Sequence, residues 1–223
     1  LWGLDPNDAV DSSFTIGIAE VDVMIAKLAE MPGWQIYKIK LGTANDLEII
    51  TALREHTKAI FRVDANCAWD PNEAAALSGE MARQGVEFIE QPLEPEAREA
   101  QAQLFLQSAL PLIADENCVG EADVPRCVDH FHGINIKLCK CGGLTPARRM
   151  IAAARDHGLK AMVGCMTESS VGISAAAQLT PLLDYADLDG AVLLAQDAAD
   201  GVQLHKGQLT FPNEPGLGIR TLK

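Results

Sequence analysis

The sequence is short of basic residues. Eighteen Lys and Arg stand against 31 Asp and Glu, a formal net charge of −13 over 223 residues. A field of that sign repels phosphate backbones, so no nucleic-acid partner is expected. No uninterrupted apolar run reaches the roughly 18 residues of a membrane-spanning helix, so no membrane partner is expected either. The opening LWGLDPNDAVDSS lacks an initiator Met, a basic start and an apolar stretch, and so does not read as a signal peptide. The six cysteines (67, 118, 127, 139, 141, 165) include no Cys-x-x-Cys pair, which excludes the usual zinc spacing. Disulfide frameworks belong to much shorter chains, so the thiols are expected to be reduced and mostly buried, in a cytoplasmic protein. No G-x-G-x-x-G or P-loop turn follows any β-rich run.

What is present is an alternation. Apolar residues make up 48% of the chain, enough for a substantial core and too many for disorder. Short β-rich runs fall at 14–19, 35–41, 59–65, 87–91, 112–115, 133–138, 160–165 and 184–189. Helical patterns of about 10 to 15 residues lie between them. One covers 43–56, with Leu47, Ile50 and Leu53 on a stripe; another opens at Asp70-Pro71 and stops at Gly85; a third runs from Thr145-Pro146 to Gly158. Eight strand–helix units imply parallel strands with right-handed crossovers, closed as a barrel or open as a doubly wound sheet. The barrel is favoured, because polar residues end at least six different strands, and only a barrel gathers all those ends at one mouth. The expected fold class is therefore α/β, a (β/α)8 TIM barrel over 1–195. A Gly-, Pro- and Asn-rich extension over 196–223, with short β-like pieces, is expected to pack outside it.

Asp64, Glu90 and Asp115 stand at the ends of strands three, four and five, spaced 26 and 25 residues apart. Three carboxylates so placed would repel one another unless a hard dication such as Mg2+ lay among them. Lys38 and Lys40, two apart, project from the same side of strand two. Adjacent ammonium groups lower each other's pKa, which suits one of them to act as a base. Lys137 lies on strand six, across the mouth, and Lys140 is placed past that strand. With a metal between opposed lysines, a lysine can abstract a proton α to a carboxylate while the metal stabilises the enediolate charge. Two-sided use gives racemisation or epimerisation; one-sided use gives elimination or lactonisation. Asp187 and Asp189 at strand eight form an anionic pocket for a cation. The five histidines (56, 130, 132, 157, 205) are given no catalytic role.

The motifs YKIKLG (37–42), RVDAN (62–66), IEQP (89–92), ADEN (114–117), NIKLCKCGGLT (135–145) and GCMTESSVG (164–172) together resemble the enolase superfamily, within its muconate-lactonising-enzyme subgroup. The resemblance implies Mg2+ held by Asp64, Glu90 and Asp115, with Asn66 and Glu116 behind them. It also implies Lys40 and Lys137 as the acid/base pair, with Lys38 tuning Lys40. Within the subgroup the chain looks most like dipeptide epimerases, on Asp187-Leu-Asp189, which there bind a dipeptide's α-ammonium. GCMTESSVG resembles the strand-seven segment of L-Ala-D/L-Glu epimerases and implies substrate contacts at Cys165, Met166 and Thr167. The implied activity is Mg2+-dependent, two-lysine epimerisation of a dipeptide at its C-terminal residue, an isomerase reaction. N-acylamino acid racemases, o-succinylbenzoate synthases and cycloisomerases of the same subgroup are the alternatives, and a non-catalytic binding barrel is the reading from another class. A homo-oligomer stays open. The family carries an N-terminal α+β capping domain that this sequence lacks, so the chain reads as the barrel part of a longer protein.

Overall fold

The computed structural model describes residues 2–222. Eight strands form one parallel sheet in chain order: β1 (Phe14–Ile16), β2 (Ile36–Lys40), β3 (Ile60–Asp64), β4 (Val86–Glu90), β5 (Leu112–Ala114), β6 (Gly133–Lys137), β7 (Lys160–Gly164) and β8 (Tyr185–Ala186). A parallel bridge from Ser12 to Ala186 joins the lead-in of β1 to β8 and closes the cylinder. The helices between strands are α1 (Val21–Glu30), α2 (Asp46–His56), α3 (Ala74–Arg83), α4 (Arg98–Gln107), α5 (Leu138–Cys141) with α6 (Leu144–Asp156), and α7 (Ser170–Ala177). The β5–β6 crossover carries a 3-10 helix, Glu121–Cys127, in place of the expected α-helix. Pro125 lies inside it, lacks an N–H, and opposes a regular helix there.

Two helix starts differ from expectation. The Asp70-Pro71 turn precedes α3 by a full turn, because the Asp70 carboxylate accepts the Asn72 N–H at 2.8 Å and makes a separate Asx turn. Helix α6 begins one residue early, at Leu144 behind Gly143, so Pro146 occupies its third position. In α2 the buried face is Ile49, Ile50 and Leu53, with Leu47 only half-buried.

The main core lies between sheet and helices. In α6, Ala147, Met150, Ile151 and Ala154 fall on one stripe and are buried against it. Each CH2 removed from water there contributes about 0.8 kcal/mol. The inside of the cylinder is unusual. Barrel interiors are normally filled by branched apolar layers. Here a small separate cluster of Phe88, Ile113 and Met162, with Tyr185 against it, is the apolar part. Above it Lys38, Asp64, Glu90, Asn135 and Lys137 are buried. A register shift between β3 and β4 gives β4 one extra residue, since Phe61 pairs with Val86 and Val63 with Ile89. Arg62, 3% exposed, pairs across this irregularity with Glu87 at 2.7 Å.

After the barrel, β9 (Ala199–Asp200) pairs with β12 (Arg220–Thr221), and β10 (Gln203–His205) makes a hairpin with β11 (Gln208–Thr210). Its Lys206-Gly207 turn has positive φ at both positions, the two-residue geometry that matches strand twist. Gly207 accepts the Ser12 N–H at 2.8 Å, which docks the hairpin beside the barrel seam. Among the described residues no helix is long and apolar enough to cross a membrane.

Asp46 clasps two loops beside the barrel mouth. Its carboxylate, 4% exposed, accepts the N–H groups of Gly42 (3.0 Å) and Thr43 (2.8 Å), the Thr43 hydroxyl (2.8 Å) and the Trp69 indole N–H (2.8 Å). Asp46→Ala strands several buried donors and is expected to cost about 3 kcal/mol of stability, read by urea unfolding. A loss below about 0.5 kcal/mol, the range of an ordinary surface substitution, would show that the clasp holds nothing.

Candidate active site

The strand ends converge on a cavity of about 290 Å3 lined by Thr15, Lys38, Lys40, Asn66, Asp115, Glu116, Lys137, Lys140, Cys165, Met166, Thr167, Asp187, Asp189, Gly190 and Leu193. Asp64 and Glu90 lie beneath its floor, fully buried. None of the five histidines lines it.

The period-two geometry of β2 puts Lys38 deep and Lys40 near the opening. Lys38 is 2% exposed, and its Nζ lies 3.0 Å from Asp64 Oδ2, 2.8 Å from Glu90 Oε2 and 3.0 Å from Asp187 Oδ2. Lys40, 27% exposed, reaches Asp64 Oδ2 at 2.7 Å and Asn66 Oδ1 at 3.2 Å. On the opposite wall Lys137 donates to Asp115 Oδ2 at 2.6 Å, and Lys140 donates to Oδ1 of the same carboxylate at 2.7 Å. Asn135 donates to Glu90 Oε1 at 2.8 Å. Gly164 makes room for it, since a Cβ there would stand 2.6 Å from Asn135 Oδ1. Glu90 Oε2 is buried and takes no well-angled hydrogen bond, despite its nearness to Lys38.

The charges set the proton affinities. Burial works against the Lys38 ammonium, but Asp187, Glu90 and Asp64 outweigh it and raise its pKa well above the usual lysine value. The expectation that Lys38 and Lys40 depress each other therefore fails for Lys38, because three carboxylates surround it. Lys137 is likewise raised, with burial opposed by Asp115 and Glu90. Burial and the neighbouring Asp64 push Glu90 up to about 7, although Lys38 opposes this. Burial opposes the charge on Asp64 too, but Lys38 and Lys40 hold its carboxyl well below the ordinary range. Among the described residues no three carboxylate, thiol or imidazole groups close tightly enough to enclose an ion by themselves. Ammonium groups stand between them.

Asp187 and Asp189 are not on one side of a strand, as expected. Strand β8 ends at Ala186, and Asp189 opens a 3-10 turn, because the Ser12 hydroxyl takes the Leu188 N–H at 2.8 Å in place of a strand partner. Both carboxylates are buried and still face the cavity. Asp187 accepts the Ser13 hydroxyl at 2.8 Å, and Asp189 accepts the Thr15 N–H at 2.6 Å. Burial raises Asp187, but Lys38 and the Ser13 hydroxyl bring it below the usual range. Burial, then the charge of Asp187, push Asp189 up to about 7.

Cys165, Met166 and Thr167 line the wall, with Met166 52% exposed. Burial and the two aspartates raise the Cys165 thiol, so it stays protonated. The thiols are less buried than expected: all six are free, Cys118 and Cys127 are buried, and Cys139 is exposed. Asn66 donates its N–H to Asp64 Oδ1 at 3.0 Å, and Glu116 lines the cavity. Sequence reasoning missed Ser13 and Thr15, and it placed Lys140 past the strand, as observed, without giving it a role in the site. A usable signal existed for each: Ser13 and Thr15 share the period-two face of β1, and Lys140 sits one helical turn after Lys137.

A model of the enolase C-terminal domain-like family matches residues 21–222. The L-Ala-D/L-amino acid epimerase of Flavobacterium johnsoniae is 52% identical over 222 residues, covering 100% of this chain and 66% of that relative. The L-Ala-D/L-amino acid epimerase of a Maribacter species is 55% identical over 220 residues, covering 98% and 65%. The crystal structure of a dipeptide epimerase from Cytophaga hutchinsonii, complexed with Mg and the dipeptide D-Ala-L-Val, superposes with a TM-score of 0.92 at 26% identity, covering 99% of this chain and 64% of that one. The chain thus spans a little under two thirds of the length of these relatives.

Proposed function

The chain belongs to the enolase C-terminal domain-like family, and from that membership we propose that it is the catalytic barrel of a Mg2+-dependent dipeptide epimerase, an isomerase. The observation that carries this reading is one cavity walled by Lys40 from β2 and Lys137 from β6, with an aspartate pair at its side. Strands β2 and β6 stand half a turn apart in the eight-stranded order, so the two amines address opposite faces of whatever lies between them.

Asp64, Glu90 and Asp115 fit a hard cation. They are buried oxygen donors, Glu90 Oε2 lacks a hydrogen bond, and the Lys38 ammonium is drawn in among them, which shows how strongly positive charge is favoured at this point. Mg2+, when bound, supplies the charge that holds a substrate carboxylate and offsets the negative charge developing on it. The rest falls to the protein. Asp187 and Asp189 receive the α-ammonium, so the distance between cation pocket and carboxylate site selects a short zwitterion. Lys40 and Lys137 remove and return the α-proton of the C-terminal residue from opposite faces, while Lys38, held protonated, fixes Asp64, Glu90 and Asp187. L-Ala-D/L-Glu is the first substrate to try. Six unpaired cysteines support a reducing, cytoplasmic setting.

The test is proton exchange in deuterated water. L-Ala-L-Glu and other L-Ala dipeptides are expected to gain deuterium at the C-terminal α-carbon as they epimerise, whereas N-acetylated analogues are not. Turnover of N-acylamino acids without dipeptides would replace this reading with the racemase one. Exchange with neither class would overturn both.

A further inference from the structure

Gln91 follows Glu90 and does not line the cavity. It is fully buried, and its backbone is left-handed at φ 37°. A side chain strains that conformation, and a following proline, here Pro92, ordinarily favours extended backbone. Strain of this kind persists only where the surroundings over-determine it.

The surroundings are fully specified. Gln91 Oε1 accepts the N–H groups of Asp115 and Asn117, each at 3.1 Å. Its Nε2 donates to the Leu93 carbonyl at 2.8 Å and to Asn117 Oδ1 at 2.6 Å. Its own N–H donates to the Ile113 carbonyl at 2.9 Å, and its carbonyl accepts the Cys67 N–H at 2.8 Å. Every polar atom of the residue is used, and the bonds join the ends of β3, β4 and β5. Those strands deliver Asp64, Glu90 and Asp115. Strand β5 itself ends at Ala114, so the Asp115 N–H is held by the Gln91 side chain.

We propose that Gln91 is a positioning residue that sets the spacing of Glu90 and Asp115 and thereby the affinity of the carboxylate set for Mg2+. This rests on the metal reading above. A residue that merely stabilised the loop would change unfolding and leave the metal affinity of the folded protein alone. Partners one step behind the ligands typically shift metal affinity by 10- to 100-fold.

The experiment is Mg2+ titration calorimetry on the metal-free chain, with hydrogen exchange across residues 115–117 and thermal unfolding in parallel. Gln91→Met keeps the length of the side chain and removes its four hydrogen bonds. Its Mg2+ Kd is expected to rise about tenfold, with faster amide exchange at Asp115 and Asn117. In turnover kcat is expected to fall while the dipeptide KM stays within about threefold, because Asp187 and Asp189 are untouched. Asn117→Ala removes one of the four bonds and is expected to move Kd in the same direction by less; it decides the matter if Gln91→Met does not fold. A wild-type chain that binds no Mg2+ overturns the metal reading and this proposal with it. Wild-type Mg2+ affinity in the folded variants, with wild-type binding intact, overturns the positioning role alone.

Discussion

Lys40→Ala and Lys137→Ala are each expected to lower epimerisation by about a thousandfold or more at unchanged fold, the upper part of the range for loss of a positioned acid/base. The two walls explain why neither loss is covered by a neighbour. Lys38 is 2% exposed and pinned among Asp64, Glu90 and Asp187, which keep it protonated. It sits deeper on β2 than Lys40, with its Nζ committed to three carboxylates, so it does not take the place of Lys40 on the wall. Lys140 approaches from α5 and is held on the other oxygen of Asp115, so it does not occupy the place of Lys137. Because the reaction needs both faces, each variant keeps one base. Each is therefore expected to retain solvent exchange from one epimer only, with the two variants sparing opposite epimers. Exchange followed by NMR in deuterated water reads this directly, beside thermal unfolding to confirm the fold. Full epimerisation in either variant would sink the two-base assignment.

The parts of this site that were legible in the sequence are those set by local period and by strand order. Alternation in YKIKL places Lys38 and Lys40 on one side, and one carboxylate per repeat puts Asp64, Glu90 and Asp115 on neighbouring strands. What depends on partners across the barrel was not legible. The protonation of Lys38 is decided by Asp187, across the barrel closure, together with Glu90 and Asp64, and reading only its neighbour Lys40 gives the opposite sign. The extra residue in β4 has no glycine or proline to mark it; it is visible only as the slip in pairing with β3. The 3-10 segment before β6 is the converse case, since Pro125 was there to be read as a helix breaker. The chain departure at Asp187–Asp189 follows from the Ser12 hydroxyl, a residue almost a whole chain away. Helix interiors and strand faces thus follow from the sequence, while the exact ends, where the chemistry sits, follow from side chains that cap one another.

The aspartate pair gives the second large effect, and the structure divides its labour. Asp187 is already committed to Lys38 at 3.0 Å and to Ser13 at 2.8 Å. Asp189 has one oxygen on the Thr15 N–H and no ammonium partner among the described side chains, and its carboxyl is pushed up to about 7 by burial and by Asp187. A substrate ammonium placed beside it relieves both causes. Asp189→Asn is therefore expected to raise the dipeptide KM about 100-fold, in line with removing one member of a buried charge pair, while kcat changes far less. The pH dependence follows with a definite sign. A carboxyl with a pKa near 7 is neutral below that value and anionic above it, so dipeptide affinity in the wild type is expected to rise from pH 6 to pH 8, and the asparagine variant is expected to lose that rise. Stability separates this from misfolding. Folding raises the Asp189 pKa, so the native state disfavours its ionised form more than the unfolded chain does, and this cost is greatest above pH 7. Replacing it with a neutral amide removes that cost, so the variant is expected to unfold at the same or a higher temperature at pH 8. A KM unchanged at pH 8 in a folded Asp189→Asn chain would move the ammonium site away from Asp189, and a lowered unfolding temperature there would instead make Asp189 a structural anchor of the Thr15 strand.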